Sequence, residues 1–446
     1  LVYLTGSHTW ANLQDIGPPG SPPFPYNEYL DFMQAAGHNF MRLWMFEQPT
    51  QAPWTADPVC FDPLPWARTG PGLAADGKPK FDLDRWNEEY FRRLRARTLE
   101  AGQRGIYVAI MLFQGWSLHK IPTTANDPWP FHPFNPANNV NGVTVAHGGG
   151  VDDDTVPSMH SLANAAALAR QEAYVRRVVE TVNDLDHVLY EIINEGGATA
   201  WQYHMIDLIH AYEKSKPKQH PVGMTHRIFP RQHNSDLFAS SAEWISPADE
   251  PRHLTDRAAA ALEDYRNDPP ANDGRKVILS DTDHLWGHGG DYRWVWKSFL
   301  RGLQPIFMDP WYPLYVHADP VLCPWVFKGG VCTDRRDFPD WDPLRRAMGD
   351  TRQFAERMNL AAMEPRADLA STRYCLADPG REYLVYLPTS GAVTLNLREA
   401  KGPLAAEWFI PTLGRAFPLT EPVAGGDYLV LYAPTTADAV LYLRAI

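Results

Sequence analysis

Short apolar runs alternate along most of the chain with longer segments whose apolar positions recur every three to four residues. That is the pattern of repeated strand–helix units around a parallel sheet. Residues 1–4 read as a strand ending in the polar cluster Gly6-Ser7-His8-Thr9-Trp10, and 26–36 as a helix stopped by Gly37. Residues 40–46 predict a second strand carrying Arg42 and Trp44, and 84–102 a helix. A third strand, 105–113, ends near Gln114, Gly115 and Trp116. A stretch of roughly fifty residues rich in Pro, Asn, His and Gly follows, to about His160, and a loop of that length inside a compact domain is usually functional.

Residues 162–184 predict the next helix, and 188–193 a strand running straight into Asn194-Glu195-Gly196-Gly197. Beyond it come a helix at 201–214, short strands at 222–225 and 244–245, and a helix at 256–265. A strand at 276–280 enters Asp281-Thr282-Asp283-His284; a helix at 292–302, a strand at 305–308 and a helix at 342–358 complete the series. Eight strand candidates, most followed by a helix, predict an α/β fold of the (β/α)8 barrel type. No Gly-x-Gly-x-x-Gly turn follows the first strand, which argues against a dinucleotide-binding sheet.

From about residue 367 the period changes to two. Segments 383–387, 393–397, 405–410, 428–432 and 439–443 alternate apolar and polar positions between Gly/Pro turns, as in a small β-sandwich. A chain of 446 residues also exceeds what one core usually supports, roughly 250–300 residues. The expected division is a barrel over 1–362 and an all-β domain over 363–446.

Composition narrows the function. A net charge of −12 without Lys/Arg clusters excludes a nucleic-acid partner, and no apolar run approaches a membrane span. Sixteen Trp and nineteen Tyr are many; aromatic faces pack on the C–H faces of sugar rings, although a large core also consumes them. The four Cys make no metal motif; Cys323 and Cys332 could close a small disulfide loop or be two buried thiols. The chain opens in a strand without an initiator Met, and a secreted or periplasmic setting is marginally preferred to a cytoplasmic one. The oligomeric state is not legible.

In a (β/α)8 barrel, functional groups gather where strands end. That filter selects His8, Trp10, Arg42, Trp44, Trp116, Asn194, Glu195, His226, Asp249, Asp281, Asp283, His284, Trp286, Asp309 and Trp311. Carboxylates, Trp and His dominate, the inventory of a sugar-cleaving site with a carbohydrate partner. Glycoside hydrolysis needs two carboxyl groups flanking the scissile bond. Glu195, at the end of an apolar strand, is the candidate acid, with Asn194 beside it to hold a sugar hydroxyl. A helix N-cap or surface ion pair is its structural alternative.

The run Leu189-Tyr190-Glu191-Ile192-Ile193-Asn194-Glu195 resembles the fourth strand of the large cellulase-like clan of barrel glycoside hydrolases. There an Asn-Glu pair supplies the acid/base and a second Glu ends strand seven. The opening strand, Arg42 and the C-terminal module also resemble barrel glycosidases of the DUF4038 type, whose C-terminal sandwich is often labelled collagen-binding. Residues 380–387 and Glu407-Trp408-Phe409 carry that part of the likeness, which extends over essentially the whole chain. This chain departs from the clan at strand seven, where Asp281 stands in place of Glu. Asp281 is the first choice as partner of Glu195 and Asp283 the second; both are also good turn formers. A shorter stem widens the gap to Glu195, which leaves retaining and inverting chemistry both open.

His8, Trp10, Arg42, Trp44, Asn194, His226, Asp283, Trp286 and Asp309 are candidates for contacting the sugar, each with a structural role as its alternative. Arg42 could instead hold the second carboxylate ionised. Two rival readings remain. One is a metal-dependent hydrolase using Asp281, Asp283, His284 and His288; the other is a sugar-binding barrel that has lost catalysis. No cofactor is required. Asp152-Asp153-Asp154 offers a structural calcium site or a solvated loop tip. The long third loop suggests a capped, exo-acting pocket.

Overall fold

The computed structural model describes residues 1–52, 59–119, 127–145, 159–227, 232–250, 263–287, 289–311 and 340–446. Eight parallel strands form one sheet: β1 (Gly6–His8), β2 (Phe40–Leu43), β3 (Tyr107–Gln114), β4 (Val188–Asn194), β5 (Val222–Thr225), β6 (Trp244–Ser246), β7 (Val277–Asp281) and β8 (Gln304–Met308). From β2 to β8 each strand pairs with the next in sequence, and β1 pairs with β8, Gly6 opposite Ile306. Asn39 bridges the seam between β1 and β2. Its N–H donates to the Thr5 carbonyl and its Oδ1 accepts the Thr5 N–H, both at 3.0 Å. A Cβ on Gly6 would lie 2.3 Å from the Phe40 carbonyl oxygen, so this close approach requires glycine. The fold is a (β/α)8 barrel of the TIM type, as expected.

The first strand begins later than the apolar run at 1–4. Its partner position is Pro305, which has no N–H to contribute, and the Thr5 hydroxyl takes the Pro305 carbonyl instead at 2.6 Å. Two helix starts also fall inside the expected spans, where a capping side chain sits. Asn87 accepts from Glu89 N–H at the head of Glu88–Gln103, and Asn164 from Ala167 N–H at the head of Ala165–Val182. The stretch before Asn87 is an antiparallel hairpin, Trp66–Leu73 with Pro79–Trp86, which the periodicity did not reveal. Most of the expected helix 256–265 lies outside the described residues, as do Asp152–Asp154, His288, Cys323 and Cys332. Among the described residues, no helix is long and apolar enough to cross a membrane.

The barrel interior is layered by the period-two rule. Phe40, Ala109, Leu189, Trp244, Leu279 and Ile306 form a dry plug toward the N-terminal ends of the strands. Trp244 fills its centre, over Gly223, where a Cβ would collide with the indole ring. Two residues further along the same strands stand Arg42, Glu191, Ser246 and Asp281, all essentially buried. One apolar layer thus supports one polar layer facing the C-terminal mouth.

The C-terminal module contains β9 (Cys375–Asp378), β10 (Glu382–Leu387), β11 (Ala392–Asn396), β12 (Leu404–Ile410), β13 (Arg415–Pro418), β14 (Tyr428–Tyr432) and β15 (Ala439–Ala445). The main antiparallel sheet runs Glu364–Pro365, β9, β10, β15, β12, β13, and β11 pairs with β14 as a ribbon. Val393 and Leu395 of the ribbon join Val385, Leu404 and Leu441 of the sheet in one core. The other face of the sheet packs on the barrel helices: Trp296 stacks on Tyr386 at 6.1 Å and Phe354 meets Phe409 edge-on at 5.4 Å. Buried Asp438 accepts from the hydroxyls of Tyr292 and Tyr386, each at 2.9 Å, and so ties the helix to the sheet.

Asp350, on the helix Asp342–Arg357, sits in a less comfortable place. Burial pushes its carboxyl up to about 6, offset in part by Arg346. A carboxyl that binds its proton more tightly when folded contributes stability at low pH and loses it as pH rises from about 4 through 6. Asp350→Asn is therefore expected to stabilise the protein by about 1–2 kcal/mol at pH 7, partial solvent screening included. The gain should vanish near pH 4. Urea unfolding of both proteins at the two pH values measures it.

Candidate active site

Arg42 is the hub of the polar layer. Its Nε and Nη2 grip Glu191 in a fork, at 2.8 and 2.5 Å, and Nη2 also donates to Asn194 Oδ1 at 2.6 Å. Nη1 donates to Asp281 Oδ2 and Asp283 Oδ2, both at 2.9 Å. Burial alone would weaken the guanidinium's hold on its proton, but Glu191, Asp281 and Asp283 secure it.

Asp281, expected opposite Glu195, has both oxygens engaged below the mouth. Besides Arg42, it faces His8 Nε2 at 3.0 Å and accepts the Asp283 N–H at 2.9 Å. Trp44 Nε1–H donates to His8 Nδ1 at 2.7 Å, which leaves the imidazole proton on Nε2, pointing at Asp281. Burial by itself would raise the Asp281 carboxyl, yet His8 and Arg42 outweigh it and hold the group well below the usual carboxylate range. Arg42 lies 4.7 Å over the Trp44 ring, so the indole braces both the cation and the imidazole.

The chain turns at Asp281. Its side chain caps the short helix Thr282–Leu285, so Asp283 sits on a helical turn and not on a continued strand. This lifts Asp283 to the mouth, with 9% of its side chain exposed. Burial pushes its carboxyl up; Arg42 opposes that and Asp281 adds to it. Across the mouth, β4 ends at Asn194, and Glu195 follows with φ +46°. The left-handed conformation is unfavourable for a residue with a Cβ and persists only where the surroundings impose it. Glu195 is 5% exposed, and an oxygen of Glu195, an oxygen of Asp283 and a ring nitrogen of His284 lie within 4.8 Å of one another. Ser246 Oγ holds His284 Nδ1 at 2.8 Å, directing the other ring nitrogen toward Asp283 at 3.7 Å.

The structure thus brings together Glu195, Asn194, Arg42, Asp283 and His284, with His8, Trp44 and Asp281 directly beneath. The other expected residues have the following partners. Both oxygens of Asp309 are gripped by Arg345, at 2.6 and 2.8 Å, and Trp311 packs on Phe32 and Tyr29. Asp249 accepts the Tyr265 N–H and pairs with Arg266. Trp10 is buried against Trp44 and Phe46, and His226 donates to the Gln232 carbonyl at 2.8 Å. Trp116 is nearly buried, its N–H on Gln114 Oε1. Trp286 is half-buried beside Trp294.

Two site residues escaped the strand-end filter. Glu191, mid-strand, is Arg42's bidentate partner; an acid inside the apolar run Tyr190-Glu191-Ile192 was its sequence signal. Glu47 directly follows the run 40–46 expected as a strand but was not singled out, and it lies past β2, which ends at Leu43.

A family model described as a domain of unknown function, DUF6298, matches residues 55–227. No curated protein sequence matches the chain. Solved structures do share its fold. A protein described as a glycoside hydrolase superposes with a TM-score of 0.60 at 11% identity, over 99% of this chain and 92% of the other. A glycoside hydrolase family 5 protein from Bacteroides vulgatus superposes with a TM-score of 0.61 at 12% identity, over 99% and 89%. At such identities the likeness is one of fold, carried through barrel and C-terminal module alike.

Proposed function

We propose that the chain is a retaining glycoside hydrolase, with Glu195 as acid/base and Asp283 as the carboxylate that attacks the anomeric carbon. The observation that carries this reading is the approach of their carboxyl oxygens to within 4.8 Å at the barrel mouth. Retaining enzymes keep the two groups about 5–5.5 Å apart, whereas inverting ones leave room for a water at about 6.5–9.5 Å. Glu195 protonates the leaving oxygen while Asp283 forms the glycosyl bond; Glu195 then takes the proton from the water that breaks it. Asp281 acts from beneath, capping the turn that carries Asp283. Because Asp283 must be ionised to attack, its raised carboxyl predicts that turnover falls as pH drops into the acid range, and Arg42 limits that fall.

A carbohydrate substrate also fits the names of the structures that share the fold, and the DUF4038 likeness belongs to the same reading. Collagen binding forms no part of it. The test is a panel of aryl glycosides and oligosaccharides with product configuration followed by NMR. Cleavage with retention, monosaccharide released first, and about a 10²–10⁴-fold loss in Glu195→Gln is the expected result. No cleavage would leave a sugar-binding barrel instead, and equal turnover in Glu195→Gln would remove Glu195 as the acid. Glu195, Asp283 and His284 are also a compact oxygen–nitrogen set able to hold a divalent cation, which favours a metal-dependent hydrolase as second reading. Activity that disappears on chelation and returns with metal would select it.

A further inference from the structure

We infer that Glu47, which takes no part in the reaction proposed above, is a positioning residue that fixes Asn194 and the Glu195 turn through Gln114 and His160. This rests on the reading of Glu195 as the acid. Glu47 is wholly buried, beyond the end of β2. Its Oε1 accepts the backbone N–H of Gln114, the last residue of β3, at 2.8 Å. His160 Nε2 stands 3.0 Å from Oε1, and His132 Nε2 stands 3.4 Å from Oε2. His132 Nδ1 accepts the Phe134 N–H, which leaves the His132 ring proton on the nitrogen facing Glu47. Although burial favours its neutral form, the two histidines hold the Glu47 carboxyl down at about 2, so it is an anion at any working pH.

From this anchor two arms reach the site. Gln114 Oε1 accepts from Trp116 N–H at 2.8 Å and faces Asn194 Nδ2 at 3.4 Å. With Arg42 on Asn194 Oδ1, both ends of that amide are held and its orientation is set. The Asn194 carbonyl in turn accepts the Gly115 N–H at 2.9 Å. On the other side, the His160 carbonyl accepts the Ala198 N–H at 2.9 Å, and Trp201 closes on Gly197, where a Cβ would lie 2.9 Å from the indole. Gly197 has φ +72°, so the strained turn containing Glu195 is clamped by parts that Glu47 holds in register. A misplacement of the acid by about 1 Å can cost on the order of a hundredfold in rate.

The experiment uses the full chain and its Glu47→Gln variant. Leaving-group dependence separates positioning of the acid from general damage, since only a poor leaving group needs protonation. We expect kcat/KM, which reports the step that expels the leaving group, to fall about 10–100-fold on alkyl glycosides and less than about 3-fold on dinitrophenyl glycosides. Gln114→Ala, which keeps the backbone N–H on Glu47, should show the same split in milder form and serves if Glu47→Gln folds poorly. Independently of any substrate, amide exchange at Gly115 and Ala198 should accelerate in Glu47→Gln while the amides of β6–β8 stay protected. Equal losses of kcat/KM on both leaving groups, or unchanged exchange at those two amides, overturns the inference. A normal leaving-group response in Glu195→Gln alongside that result would leave the proposed function standing and sink this inference alone.

Discussion

Asp283→Ala is expected to lower kcat for glycoside hydrolysis by about a thousandfold or more, with thermal unfolding close to that of the parent. Its side chain lies at the mouth, where it pairs with Arg42 at 2.9 Å and faces His284 at 3.7 Å. Added azide should enter the vacated space, attack the anomeric carbon and give a glycosyl azide of the opposite configuration to the normal product. Asp281→Ala should behave differently. It removes a wholly buried carboxylate from Arg42, His8 and the Asp283 N–H, so it costs fold stability as well as rate, and azide should not restore turnover. Azide rescue of Asp281→Ala and not of Asp283→Ala would reverse the assignment of the two residues.

Arg42→Met carries the largest expected effect on stability. It leaves Glu191 and Asp281 in the barrel without their cation, and an uncompensated buried charge costs about 3–5 kcal/mol. The sign of its pH dependence follows from Asp281. A carboxyl held far below its unfolded value contributes stability above about pH 4 and loses that contribution as pH falls through its folded value. In the variant the buried acids can regain protons at higher pH, so the deficit should be greatest near pH 7 and smaller near pH 5. Denaturant unfolding of both proteins at those two pH values measures this. A loss below about 1 kcal/mol at pH 7 would mean that Arg42 does not neutralise the layer.

The two substitutions probe opposite sides of one arrangement. Arg42 sits one period-two step above the apolar plug and neutralises acids that approach it from β4 and β7. Asp283 sits in the first turn of the short helix that Asp281 caps, within hydrogen-bond reach of Arg42 and partly exposed at the mouth.

Much of this was legible along the chain. Alternation of apolar runs with helical periodicity was enough for the barrel, because each βα unit must bury one face against the sheet and the other against a helix. The end of β4 was equally plain, since Asn194-Glu195 follows six residues that are apolar apart from Glu191. What sequence could not supply was orientation beyond a strand end. Asp281 and Asp283 are two residues apart and equivalent by period two, but Asp281 caps the next turn, and that hydrogen bond converts alternation into helical spacing. Asp309 satisfied the same strand-end filter as Asp281, yet Arg345, 36 residues onward, claims it. Glu47 follows the run 40–46, but its role was not legible there, because its partners His132 and His160 lie 85 and 113 residues away.

The linear order of residues therefore determined which strands build the barrel, which way the barrel faces and which glutamate follows β4, all consequences of local periodicity and burial. Only the tertiary structure decided which aspartate meets that glutamate and which acids are held beneath by Arg42. Those choices depend on hydrogen bonds between side chains distant in sequence, whose geometry exists only once the strands have closed into a ring.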